Sequence, residues 1–133
     1  MAEPAPRLLR AYRATAYEAA GAVARLGRRS PAVEALLAGW GLRQGGFVSA
    51  WNPFSRRMPP GWNQRLHARL VEASRRLPGA SGHGRARGWQ EAHMLLGADP
   101  RRLAVLGRRF RQEAIVVLRR GTPARLWLLR RGG

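Results

Sequence analysis

Glu91 and His93 are separated by a single residue. In an extended strand that spacing puts both side chains on one face, together with Trp89 and Leu95. A carboxylate beside an imidazole can orient it for acid–base chemistry, and the same two residues can serve as a hydrogen-bonded polar pair at the rim of a sheet. His67, His83 and His93 show no ligand spacing such as His-x-x-x-His, and the sequence has no cysteine. Thiolate nucleophiles and disulfides are excluded, and no metal site is expected. Gly79, Gly82, Gly84 and Gly88 fit neither a phosphate-binding loop nor a dinucleotide fingerprint, and no Gly-x-Ser-x-Gly elbow is present. No cofactor is expected.

Arginine supplies the second kind of chemistry. The chain has 25 basic and 7 acidic residues, a formal net charge of +18, and every basic residue is arginine. Such a charge attracts polyanions without regard to their sequence. A GC-rich genome would also replace lysine by arginine, but that leaves the shortage of Asp and Glu unexplained. On a helix over 100–111, Leu103, Leu106 and Phe110 share one face and Arg101, Arg102, Arg108 and Arg109 gather roughly opposite. Arg101 and Arg102 oppose the helix dipole at that end, which would suit an anionic neighbour. A solvated face in an arginine-rich chain has the same pattern. Trp51 and Trp62 flank Arg56-Arg57, a juxtaposition that suits stacked bases and also suits two buried indoles.

These residues need elements to hold them. Ser30-Pro31 reads as an N-cap with proline at the first helical position, opening a helix to about Ala38 that Gly39 or Gly41 stops. Gly46–Trp51 reads as a buried strand and residues 52–61, with three prolines, as a loop. Trp62, Leu66, Leu70, Ala73 and Leu77 recur at helical spacing, with Asn63 at the border of the stripe. The glycines of 78–88 predict a flexible loop. Trp89–Leu96 reads as a strand, Asp99-Pro100 as a second capped helix start, and Ala114–Leu118 and Ala124–Leu129 as a hairpin. Residues 8–26 fit either a helical stripe (Leu8, Tyr12, Ala16, Ala19, Val23) or a strand, turn and strand around Ala20-Gly21.

The pattern predicts an α+β fold: a single mixed sheet with about three helices packed on it, ending in a C-terminal hairpin. One domain over 11–129 is expected, with flexible ends at 1–10 and 130–133. No apolar run is long enough to cross a membrane and no signal-peptide core is visible, so a cytoplasmic location is expected.

Five phrases together resemble a bacterial family, domain of unknown function 3293 (DUF3293): AYRATAY at 11–17, FVSAWNPFS at 47–55, WNQRL at 62–66, WQEAHMLLG at 89–97 and RRFRQEAIVVL at 108–118. Ser49 stands where the family commonly has threonine. Arg111 stands where it commonly has glycine, in Phe-Gly-Gln. The resemblance implies a bacterial cytoplasmic protein and a strand over 12–19, and it implies no activity. It singles out Thr15, Tyr17, Asn52, Asn63, Glu91 and Gln112 as candidate ligand-binding residues.

Asn52, Asn63, Glu91 and Gln112 are expected to converge on one small concavity, where Glu91 would need donors from the amides or from Arg111. Asn52 and Asn63 can instead brace the proline-rich loop, with Glu91 and Gln112 bonded to backbone. The favoured reading is a non-enzymatic binding or accessory domain for an anionic partner such as RNA or DNA, held by Arg101, Arg102, Arg108 and Arg109. Two others stand beside it. One is a small-molecule enzyme or ligand-binding protein built on the Asn52 set. The other is a protein-interaction domain whose charge is genomic background.

Overall fold

The computed structural model describes residues 6–129. In chain order the elements are α1 (Pro6–Ala14), β1 (Ala16–Ala19), β2 (Ala22–Ala24), α2 (Pro31–Gly39), β3 (Gln44–Val48), α3 (Pro60–Ala73), β4 (Gly79–Ala86), β5 (Trp89–Gly97), α4 (Pro100–Arg109), β6 (Ala114–Arg119) and β7 (Thr122–Leu128), with a short 3-10 turn at Pro53–Ser55. Both readings of residues 8–26 are realised in succession: the stripe as far as Ala14 is helical, and the rest is a hairpin turning at Ala20-Gly21. Residues 6–10, expected to be a flexible start, belong to α1. The expected loose end at 130–133 lies outside the described residues.

The strands form one sheet in the order β2-β1-β4-β5-β3-β6-β7. Every strand pairing is antiparallel, which corrects the mixed sheet. The reason is β3. The crossover from β5 through α4 to β6 would make those two strands parallel neighbours, but β3 lies between them and is antiparallel to both. The other correction concerns residues 78–88. Most of that stretch is β4, paired along its whole length with β5 and with β1 at its far end. Glycine permits this: a Cβ at Gly82 would collide with the backbone carbonyl of Glu18. The strand expected at 46–51 is Gln44–Val48, and Ser49 to Asn52 lead out of it.

The sheet curls until its two edges meet. Leu26, just after β2, bridges to Ala124 of β7; Gly27 N donates to Ala124 O at 2.9 Å and Ala124 N to Arg28 O at 3.0 Å. Alternation along the strands then gives two apolar faces. Tyr17, Phe47, Leu95, Val116 and Leu118 point into the curl, where Val33 and Leu37 of α2 join them. Val48, Met94, Leu96, Ile115 and Val117 point outward under Leu70 of α3 and Leu103 of α4. Burying a side chain such as Leu70 completely is worth about 2–3 kcal/mol. α2 starts as the sequence predicts: Ser30 Oγ accepts from Val33 N, with Pro31 at the first position. It packs near Gly45 at one end of the curl, since a Cβ at Gly45 would meet Leu37. That leaves the opposite end of the strands to build a site.

Candidate functional site

A cavity of about 630 Å³ opens at the other end of the curl, where β3 runs out and β5 and β6 begin. Its wall includes Thr15 and Tyr17 from the start of β1, Ser49, Trp51 and Asn52 after β3, Glu91 and His93 on β5, and Gln112 before β6. Tyr12 of α1 and Asn63 of α3 complete it. The strand register explains the convergence. Tyr17, Gly84 and Glu91 stand opposite one another across β1, β4 and β5, so they share the inner face. His93 follows two residues later, and a Cβ at Gly84 would come within 2.7 Å of its ring.

All six residues singled out by the resemblance lie in this wall, but they do different things. Asn63 is 3% exposed; its Oδ1 accepts from Asn52 N, and its Nδ2 donates to Asn52 Oδ1 and Met58 O. Asn52 Oδ1 also accepts from Met58 N. Gln112 Nε2 donates to Trp51 O and Phe110 O, and Thr15 Oγ1 to Ala11 O, one turn back at the end of α1. These groups brace the rim. The rim is strained as well, because Asn52, Phe54 and Ser55 have φ of 47°, 52° and 62°. Phe54 N donates to the carbonyl of Arg111, whose own φ is 56°, in the left-handed region that favours glycine. Arg111 therefore does not serve Glu91; its side chain borders a separate groove with Trp62 and Arg69.

Glu91 and His93 are the titratable pair of the wall. Ser49 Oγ donates its one hydrogen to Ala92 O at 3.1 Å, with Glu91 Oε1 3.5 Å away as the alternative acceptor. Burial raises the Glu91 carboxyl to about 7, against the opposing pull of Asn52 and Ser49. His93 is 6% exposed, beside Tyr17 and Phe47 with ring centroids 5.5 and 6.4 Å away. Burial, with His67 and His83 adding to it, lowers its pKa to about 3, so the imidazole is neutral. Among the described residues, His93 Nδ1, Trp51 Nε1 and, outside the wall, His67 Nδ1 are buried without a hydrogen-bond partner. Burial pushes the Tyr12 and Tyr17 hydroxyls above their ordinary range, and Glu91 adds to both shifts. Sequence reasoning missed Ser49 and Tyr12 as wall residues. The alternation Phe47, Ser49, Trp51 beyond the end of β3 was the available signal for the first.

The arginines of α4 are not among the residues that line this wall. Arg101, Arg102, Arg108 and Arg109 are all exposed. Arg101 folds back on the N-cap Asp99, donating from its backbone N at 2.8 Å and from Nη2 at 3.2 Å, which answers its place at the wrong end of the dipole. Among the described residues no three His, Asp or Glu side chains cluster as metal ligands, and no helix is long and apolar enough to cross a membrane.

The fold and the cavity define a small α+β domain with a ligand-sized recess at one end of a curled antiparallel sheet. The chain belongs to the DUF3293 family, described as a protein of unknown function, whose model matches residues 48–115. That span holds Asn52, Asn63, Glu91 and Gln112; Thr15 and Tyr17 lie before it. Searches of curated proteins and of solved structures gave no match.

Proposed function

We propose that this chain is a small-molecule-binding domain whose ligand occupies the cavity beside Glu91. The observation that carries the reading is the wall itself: about 630 Å³ of space lined by His93 and Trp51, two residues whose ring nitrogens, Nδ1 and Nε1, are buried with no partner among the described residues. Pockets of this size hold drug-sized ligands, and buried polar atoms normally find partners. The strained, multiply braced rim supports the same reading, since backbone strain persists where the surroundings over-determine it. Glu91, with its carboxyl near 7, is the group suited to exchange a proton with a bound molecule.

A fragment screen by ligand-observed NMR tests this, run on the intact chain and on Ala11→Trp, which places an indole at the mouth of the cavity. Fragments that bind the first and not the second are expected. A screen whose hits all survive in Ala11→Trp, or that finds none, overturns the reading.

A second reading rests on charge. The net +18 and the exposed Arg102, Arg108 and Arg109 of α4 support weak association with a polyanion such as RNA or DNA, at a surface separate from the cavity.

A further inference from the structure

The cavity runs against the charge of the chain that contains it. Arginines outnumber acidic residues by 25 to 7 in the sequence, yet among the described residues the wall includes two glutamates, Glu91 and Glu113, and one arginine, Arg57. Arg57 is exposed in the loop before α3, and among the described residues no cation forms an ion pair with Glu91. A carboxylate on the inner face of a sheet with no countercharge is costly, so a positive charge brought from outside would be held firmly. The rest of the wall suits the same visitor. Tyr17, Phe47 and Trp51 are among the cavity's lining residues, and organic cations are attracted to aromatic rings.

We propose that the ligand of this cavity is an organic cation, an amine or quaternary ammonium on an apolar body, with its charge against Glu91 and its body among Tyr17, Phe47 and Trp51. The inference rests on the cavity being a binding site and adds the chemistry of what binds there. His93 provides a second, independent mark of a ligand: an almost wholly buried ring at the wall with Nδ1 unsatisfied. Because it stays neutral, it does not repel a cation bound beside it. The long-range field of the chain opposes cations, but at physiological salt it is screened beyond about 8 Å, and inside the cavity the nearby Glu91 decides.

Binding should follow the ionisation of Glu91. The titratable and charged residues that line the cavity with Glu91 are Tyr12 from α1, Tyr17 from β1, His93 from β5, Glu113 before β6 and Arg57 from the loop before α3. Both tyrosines stay protonated and His93 stays neutral between pH 6 and 8.

The test uses three probes on one benzyl frame at 0.15 M salt: benzyltrimethylammonium, its neutral isostere neopentylbenzene, and the anion phenylmethanesulfonate. Affinities are measured by NMR titration of the intact chain. The cation is expected to bind at least tenfold more tightly than the other two, and several-fold more tightly at pH 8 than at pH 6. Glu91→Gln, checked for folding by its unfolding temperature, should weaken the cation at least tenfold and leave neopentylbenzene within twofold. The pH titration needs no variant and decides the matter if Glu91→Gln does not fold. A neutral or anionic probe that binds as well as the cation, or a flat pH profile, overturns the inference while leaving the cavity as a site. If none of the three binds, the charge of the fragments that do bind the cavity decides: a predominance of cations supports the inference, and neutral or anionic hits overturn it. A cavity that takes no fragment at all removes both readings.

Discussion

At Asn63 both polar atoms of the amide are engaged by the loop that leaves β3, and the side chain is buried. Asn63→Ala therefore strands Asn52 N and loosens the Met58 turn. It is expected to cost about 1–3 kcal/mol in chemical denaturation. Arg111 is the opposite case: its φ of 56° strains any residue with a Cβ, and its side chain is exposed. Arg111→Gly relieves roughly 1–2 kcal/mol of left-handed strain and adds roughly 0.4–1 kcal/mol of unfolded-state entropy, so a net gain of up to about 1.6 kcal/mol is expected. An unfolding temperature below that of the parent chain would refute it. Glu91 governs a pH effect. Its carboxyl is raised from 4.5 unfolded to about 7 folded, so its contribution to stability is complete below pH 4.5 and is lost as pH rises through 7. The loss is on the order of 3 kcal/mol. His93 acts in the other sense: lowered from 6.5 to about 3, it contributes stability above 6.5 that is lost as pH falls toward 3. Comparing the parent chain with Glu91→Gln isolates the first effect. The variant is expected to gain on the parent steadily from pH 4.5 to 7 and then level off, as read by urea midpoints.

The capped helices were legible because their signals are local: Ser30-Pro31 and Asp99-Pro100 each fix a helix start whatever the rest of the chain does. The alternation in 89–97 was legible for the same reason. Residues 78–88 were misread because glycine weakens an isolated strand. What selects glycine here is the closeness of the next strand, which no single segment reveals. Gly82→Ala is expected to destabilise the sheet by about 1–3 kcal/mol or more, because the new methyl meets the Glu18 carbonyl and the Ala19 backbone rather than a side chain that can move. An unfolding temperature within a degree of the parent would contradict the tight pairing of β1 with β4. The antiparallel order escaped sequence reading for a related reason. Strand identity is written in alternation, but the insertion of β3 between β5 and β6 is decided by contacts far apart in the chain.

At the scale of the whole chain, charge and shape call for separate tests. Association with single-stranded RNA is expected to weaken steeply as salt rises, and replacing Arg102, Arg108 and Arg109 together with Gln should lower both the affinity and the salt slope. Fluorescence anisotropy at 50 and 200 mM salt reads both, and an unchanged slope would place the contact elsewhere. The candidate residues of the cavity were found in the sequence, but their division of labour was not. Which amides brace the rim and which carboxyl faces the opening depends on the curl, and the curl is set by the clasp between Leu26–Arg28 and Ala124. That clasp has a further consequence, for the company the chain keeps. A sheet with two open edges invites a strand from another molecule, and here β2 and β7, the two edges, are partly spent on each other. Ala124 lies where the pairing of β6 with β7 shifts register, which frees its N–H to reach Arg28 rather than β6. Ala124→Pro removes that donor and should unfasten the seam. Light scattering should then record concentration-dependent self-association beyond that of the parent chain, as exposed strand edges on separate copies find one another.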